Sequence, residues 1–125
     1  MKTYVANTAQ GSCFWADTDA ESYADIDIQY MGITCSDHPD EQIKDFFQAT
    51  ANFIDEALNN GGKVLVHCFM GLSRSATIAA SFLMQKKYMT ALEALQTSHR
   101  NRAIVPNRGF MNQLAELDNN LRRYA

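Results

Sequence analysis

Cysteine is scarce in this sequence, proline scarcer, and neither charge of one sign nor apolar character runs on for long. The three cysteines, Cys13, Cys35 and Cys68, are odd in number and include no C-x-x-C pair, which excludes a disulfide framework and a zinc ribbon. The three histidines, His38, His67 and His99, do not stand at ligand spacing, so neither a structural metal nor a cofactor is expected. Lysine and arginine number 11 against 14 aspartates and glutamates, a formal net charge of −3. Binding to a phosphate backbone or an anionic membrane rests on excess cations, so the expected partner is neither a nucleic acid nor a membrane. Apolar stretches such as IAASFLM at 78–84 fall far short of a membrane span. The opening MKTYVANTAQGS lacks the apolar core of a signal peptide. Free thiols then place the chain in a reducing cytosol or nucleus.

What is present is an ordinary globular balance, 46% apolar and 20% charged over 125 residues. That length suffices for one core and not for two, so residues 1–125 read as a single domain. TYVANT (3–8) and DIQYMGI (27–33) read as short strands, and TCSDHPDE (34–41) as a polar loop. From Glu41 to Asn60 the pattern turns helical, with Phe47, Ala51, Ile54 and Leu58 on one face and Phe46, Phe53 and Ala57 broadening it. Asn59-Asn60-Gly61-Gly62 should end that helix, because glycine takes the left-handed C-cap without a Cβ clash. KVLVH (63–67) has the apolar, β-branched character of a strand in the middle of a sheet. SATIAASFLMQKK (75–87) reads as a central helix. TALEALQTSHR (90–100) opens with Thr90 and Glu93 at capping-box spacing. After Pro106, Asn107 can cap a last helix through Phe110, Leu114, Leu117 and Leu121. The class is α/β.

The stretch that carries chemistry is VHCFMGLSRSA, residues 66–76. A strand delivers Cys68, and a helix begins about six residues later. Helix N-termini leave backbone N–H groups without partners, and these, with the helix dipole, make an anion site. Gly71 lets the loop curl so that the amides of Phe69, Met70, Gly71, Leu72 and Ser73 converge. A thiol at the mouth of such a site is favoured as thiolate, the nucleophilic form. Arg74 adds a planar fork that binds two oxygens at once. A phosphoryl group fits all three features, with Cys68 in line with phosphorus and the loop holding the equatorial oxygens. A lone cysteine ending a strand is usually packing. The spacing of His67, Cys68, Gly71, Arg74 and Ser75, framed by strand and helix, favours the catalytic reading.

His67-Cys68-Phe69-Met70-Gly71-Leu72-Ser73-Arg74-Ser75 resembles the HCxxGxxRS signature of cysteine-dependent protein phosphatases. FIDEAL (53–58), KVLVHC (63–68), SRSAT, and the NR-x-x-x-PN-x-GF-x-x-QL pattern at 101–114 are similar to the small atypical, VHR-like dual-specificity phosphatases. The resemblance extends over nearly the whole chain. It implies a central mixed, mostly parallel sheet flanked by helices, and a metal-independent phosphatase acting on phosphotyrosine and phosphoserine or phosphothreonine in proteins through a phosphocysteine. Relative to the family pattern the chain is short at its N-terminus: either it is a naturally short form, or its sheet has lost an edge element and exposes a pairing edge, which would admit a homodimer.

Expelling an alcohol oxygen from phosphorus needs a proton donor. The loop offers Asp37 and Asp40, either of which could instead cap the next helix, while Asp45 should lie inside it. The resemblance puts the acid on Asp37. It also gives Ser75 a part in the second step, when water releases phosphate and the thiolate leaves; simple helix capping is the alternative. His67, ahead of the nucleophile in a strand, reads as a hydrogen-bonding support for the loop. Asn107 matches the family's PN pair and should brace nearby loops.

Arg100, Arg102 and Arg108 cluster in SHRNRAIVPNR (98–108). They read as a solvated surface, although Arg102 resembles the family position tied to a second anion. Cys35 could approach Cys68 and shield it as a reversible disulfide, against the plainer reading of a loop cysteine. Cys13 and Trp15 read as structural. Two other functions compete: a module that binds phosphoproteins without turnover, and arsenate reduction or sulfur transfer, which no redox-partner cysteine after the loop supports.

Overall fold

The computed structural model describes residues 3–9, 28–68 and 72–122. Cys13, Trp15, Phe69, Met70 and Gly71 lie outside the described residues. Strand β1 (Thr3–Ala9) is followed by β2 (Ile28–Thr34), a 3-10 turn at Ile43–Phe46 and helix α1 (Phe47–Asn59). Strand β3 (Lys63–Cys68) leads to α2 (Arg74–Lys86), α3 (Ala91–Asn101) and α4 (Arg108–Arg122). The α/β class is as expected.

The described strands lie in the order β2-β1-β3, and both pairings are parallel. KVLVH therefore does not occupy the middle of the described sheet; TYVANTA does. The run looks doubly buried because it is mostly apolar, yet Lys63 and Leu65 point to the open side, with Leu65 55% exposed. Register is what matters for the site. Thr8 pairs with Cys68 and Ala9 with Thr34, so β2 and β3 finish level at one end of the sheet, on either side of β1. Loops leaving the C-terminal ends of parallel strands are where such folds bind ligands.

Helix α2 is central, as its composition predicts. Ile78 and Ala80 are fully buried and Phe82 and Met84 nearly so, and α2 packs on α1, α3, α4 and β3. On α1 the inward face is Phe47, Thr50, Ala51, Ile54 and Ala57. Leu58, expected inside, is 41% exposed. It stands at the last turn, where the chain leaves the core. Leu121 is exposed near the end of α4 in the same way, whereas Phe110 and Leu114 are fully buried.

The stop and start signals act as read. Asn60 caps α1 and Gly61 follows with φ +78°. Gly62 N–H bonds to the Ala57 carbonyl at 3.0 Å and Gly61 N–H to that of Leu58 at 3.1 Å, the paired bonds of a Schellman ending. Thr90 Oγ1 accepts from Glu93 N–H at 3.0 Å while Glu93 Oε1 accepts from Thr90 N–H at 3.1 Å. Asn107 Oδ1 accepts from Phe110 N–H at 2.9 Å, closing the first turn of α4.

Candidate active site

Cys68 is the last residue of β3, and only 8% of it is exposed. Helix α2 starts so close after the loop that its second residue, Ser75, turns back onto the sulfur. Ser75 N–H donates to Cys68 Sγ at 3.5 Å, and Ser75 Oγ lies 3.3 Å from the same sulfur. An amide at a helix N-terminus and a hydroxyl both stabilise negative charge on sulfur. Ser75 is not a capping residue. The N-cap is Ser73, whose carbonyl takes Thr77 N–H at 2.9 Å and Thr77 Oγ1 at 2.7 Å.

Arg74 is 4% exposed. Its Nη1 donates to the carbonyl of Cys35 at 3.2 Å, so the guanidinium is tied to the chain just after β2. Arginine keeps its charge when buried, and one of its five donors is fixed on this carbonyl.

The loop after β2 comes to the same place. Asp37 Oδ1 accepts from Asn107 Nδ2 at 2.8 Å, and Asn107 N–H donates to Ser73 Oγ at 2.9 Å. A single asparagine thus links the aspartate loop to the loop that follows Cys68. Val105 N–H adds a bond to the Leu72 carbonyl at 2.8 Å. Asp40 turns the other way: its side chain is 93% exposed, 3.8 Å from His38 Nδ1. Neither aspartate caps the helix that follows, since the N-caps of the 3-10 turn and of α1 are Gln42 and Phe46, both without a side-chain cap.

Two further α4 residues hold this loop, and sequence reasoning gave them no role. Gln113 is buried; its Oε1 accepts from Lys44 N–H at 2.9 Å and its Nε2 donates to the Glu41 carbonyl at 2.8 Å. At Gly109 the helix comes so near the loop that a Cβ there would collide with the Pro39 carbonyl. The visible signal was their place in the NR-x-x-x-PN-x-GF-x-x-QL pattern, which holds Gly109 and Gln113 but says nothing of their partners. Ser36 Oγ closes the loop on itself by donating to Glu41 Oε2 at 3.1 Å.

Cys35 is fully buried, and its thiol is pushed up to about 12, first by burial and then by the negative charge of Glu41. It stays a thiol. Cys35 and Cys68 are both buried free thiols, with no disulfide between them in this structure. Burial lowers the pKa of His67, leaving its imidazole neutral. Arg100, Arg102 and Arg108 are exposed. Among the described residues no group of three histidines, cysteines, aspartates or glutamates could hold a metal, and no helix is long and apolar enough to cross a membrane.

Residues 3–120 match the sequence model of the dual specificity phosphatase catalytic domain. The chain belongs to this family. Within the dual specificity phosphatases it is similar to dual specificity protein phosphatase 13B of Mus musculus, 46% identical over 122 residues, and to that of Homo sapiens, 45% identical over 122. Each alignment takes in 97% of this chain and 61% of the relative, so the chain spans about 61% of the length of these curated relatives. Among solved structures, the human tyrosine phosphatase-like serine/threonine/tyrosine-interacting protein superposes with a TM-score of 0.85 at 30% identity, over 98% of this chain and 79% of that one. DUSP15 does so with a TM-score of 0.77 at 30% identity, over 98% and 75%. The fold and the small, atypical dual-specificity branch of the cysteine-dependent phosphatases follow from these likenesses.

Proposed function

We propose that residues 1–125 form one catalytic domain that hydrolyses phosphotyrosine and phosphoserine or phosphothreonine in proteins, without a metal. The observation that carries this reading is the double contact of Ser75 with Cys68 Sγ, beside an aspartate anchored to the same loop through Asn107.

In the first step the Cys68 thiolate attacks phosphorus, an S–P bond forms, and the P–O bond to the side chain breaks. Asp37 gives its proton to the departing oxygen. Arg74 and the amides of residues 69–74 hold the three equatorial oxygens, whose charge grows through the transition state. In the second step a water oxygen attacks phosphorus while Asp37 takes its proton. The S–P bond breaks, and Ser75 stabilises the thiolate as it leaves. Neutral His67 supports the strand end. Arg102, exposed at the end of α3, serves a second anion of the substrate.

A thiolate enzyme of this kind works in a reducing compartment, the cytosol or nucleus. Among the described strands β3 has a neighbour on one side only, with Leu65 exposed, so its open edge is proposed to pair with a second copy. Sedimentation of the chain and of Leu65→Lys over a concentration series tests this; a monomer throughout overturns it.

The deciding experiment is hydrolysis of p-nitrophenyl phosphate and of phosphopeptides, with chelator, by the chain and by Cys68→Ser. Turnover that survives chelator and vanishes with the substitution supports the enzyme. Absence of turnover with tight vanadate and phosphopeptide binding would make the chain a phosphoprotein-binding module instead.

A further inference from the structure

A groove of about 510 Å³ lies between α3 and the first turn of α4, lined by Leu95, His99, Arg100, Ile104, Pro106 and Met111 among others. Its relation to the catalytic loop is set by the extended segment between the two helices. Val105 and Asn107 turn their backbone N–H groups to Leu72 and Ser73, while Ile104 and Pro106, alternating with them, line the groove. The groove and the phosphate loop are the two sides of one strap. The bonds of the strap to Leu72 and Ser73 put the groove next to the loop that follows Cys68.

The chemistry of the groove is apolar with a cationic rim. Met111 is 41% exposed and the neighbouring Val105 is 68% exposed. Arg100, Arg102 and Arg108 are exposed and make no ion pair among the described residues. In a chain of net charge −3 this is a local concentration of unpaired positive charge, complementary to a carboxylate.

We propose that the groove reads the sequence flanking the phosphorylated residue of a protein substrate. It seats one apolar side chain among Leu95, Ile104 and Met111, and Arg100 holds an acidic residue next to it. This rests on the phosphatase reading and names the substrate class within it: phosphoproteins with an apolar-acidic pair near the phosphosite. At about 510 Å³ the groove has room for an apolar side chain and its neighbour, within the roughly 300–1,000 Å³ of pockets that bury drug-sized ligands. Arg100 gives the pairing direction that an apolar slot alone lacks.

The test uses phosphotyrosine peptides carrying Leu-Glu at two to six residues on either side of the phosphotyrosine, each matched to a Gly-Ser control. At one spacing kcat/KM should exceed the control by about tenfold, mainly through KM, the size of one well-placed anchor. Arg100→Glu and Met111→Lys should each bring that ratio to near one; both residues are at the surface, and thermal melting checks that the variants fold. Equal kcat/KM at every spacing, or a preference that both variants retain, overturns the proposal. If the chain turns over no substrate at all, the phosphatase reading fails separately. Fluorescence anisotropy of the same peptides on Cys68→Ser then decides the groove, with tighter Leu-Glu binding supporting it and equal binding overturning it.

Discussion

Asn107 donates its side-chain amide to Asp37 Oδ1 at 2.8 Å across seventy positions of sequence. Its backbone N–H meanwhile holds Ser73 Oγ, so the proposed acid is positioned from the same loop that follows the nucleophile. Asn107→Ala should release Asp37 while leaving Cys68 and Arg74 in place. The rate should fall about tenfold to a hundredfold for alkyl and aryl phosphates with poor leaving groups, and less for p-nitrophenyl phosphate, because a good leaving group needs less protonation. Stability should drop by about 1 kcal/mol from the lost cap. A series of aryl phosphates separates the two effects.

Asp37→Asn and Asp40→Asn should differ sharply. The first should remove the limb of the pH–rate profile that requires a protonated acid and lower kcat by about 10²–10⁴-fold. The second, at an exposed carboxylate beside His38, should leave the profile unchanged. If only Asp40→Asn lost that limb, the assignment would be reversed.

Ser75→Ala removes the hydroxyl 3.3 Å from Cys68 Sγ and keeps the amide. Hydrolysis of the phosphocysteine should slow by about tenfold to a hundredfold, the loss of one hydrogen bond to a charged group. Rapid-quench kinetics should show a burst of alcohol release ahead of phosphate.

Gly109→Ala ordinarily stabilises a helix by ~1 kcal/mol. Here the sign should reverse, because the added Cβ meets the Pro39 carbonyl; overpacking costs about 1–3 kcal/mol. A lower melting temperature together with a lower rate for poor leaving groups is expected. A higher melting temperature would contradict the close approach.

Cys35, held protonated to about pH 12, should resist iodoacetamide at pH 7.5 in the folded chain and react once the chain is unfolded. Peptide mapping checks each cysteine separately. A raised folded pKa makes the Cys35 contribution to stability complete below its unfolded value near 9.0 and lost as pH climbs toward about 12. The alkaline fall in unfolding free energy should therefore be shallower in Cys35→Ala.

What the sequence disclosed was local. Thr90 with Glu93, Gly61 after Asn60, and Asn107 before Phe110 each act within a few residues, where spacing alone defines the partner. The HCxxGxxRS stretch likewise announces itself, since strand, loop and helix follow one another along the chain. Gln113 and Gly109 stood out only as letters of the 101–114 pattern, and their role was hidden because their partners at Glu41, Lys44 and Pro39 meet them only after folding. The place of KVLVH at the border of the described sheet was hidden for the same reason: an apolar strand looks alike whether it has one neighbour or two.

Asp37, the proposed proton donor, is moored by Asn107 at the threshold of the last helix, while the Cys68 sulfur is carried by a strand that precedes it. A premature stop between Arg102 and Asn107 would therefore spare every letter of the signature motif and still disarm the protein. It would cut the aspartate adrift and uncover the interior that Phe110 and Leu114 now seal. Intact motif, in such a transcript, would be no guide to a working gene product.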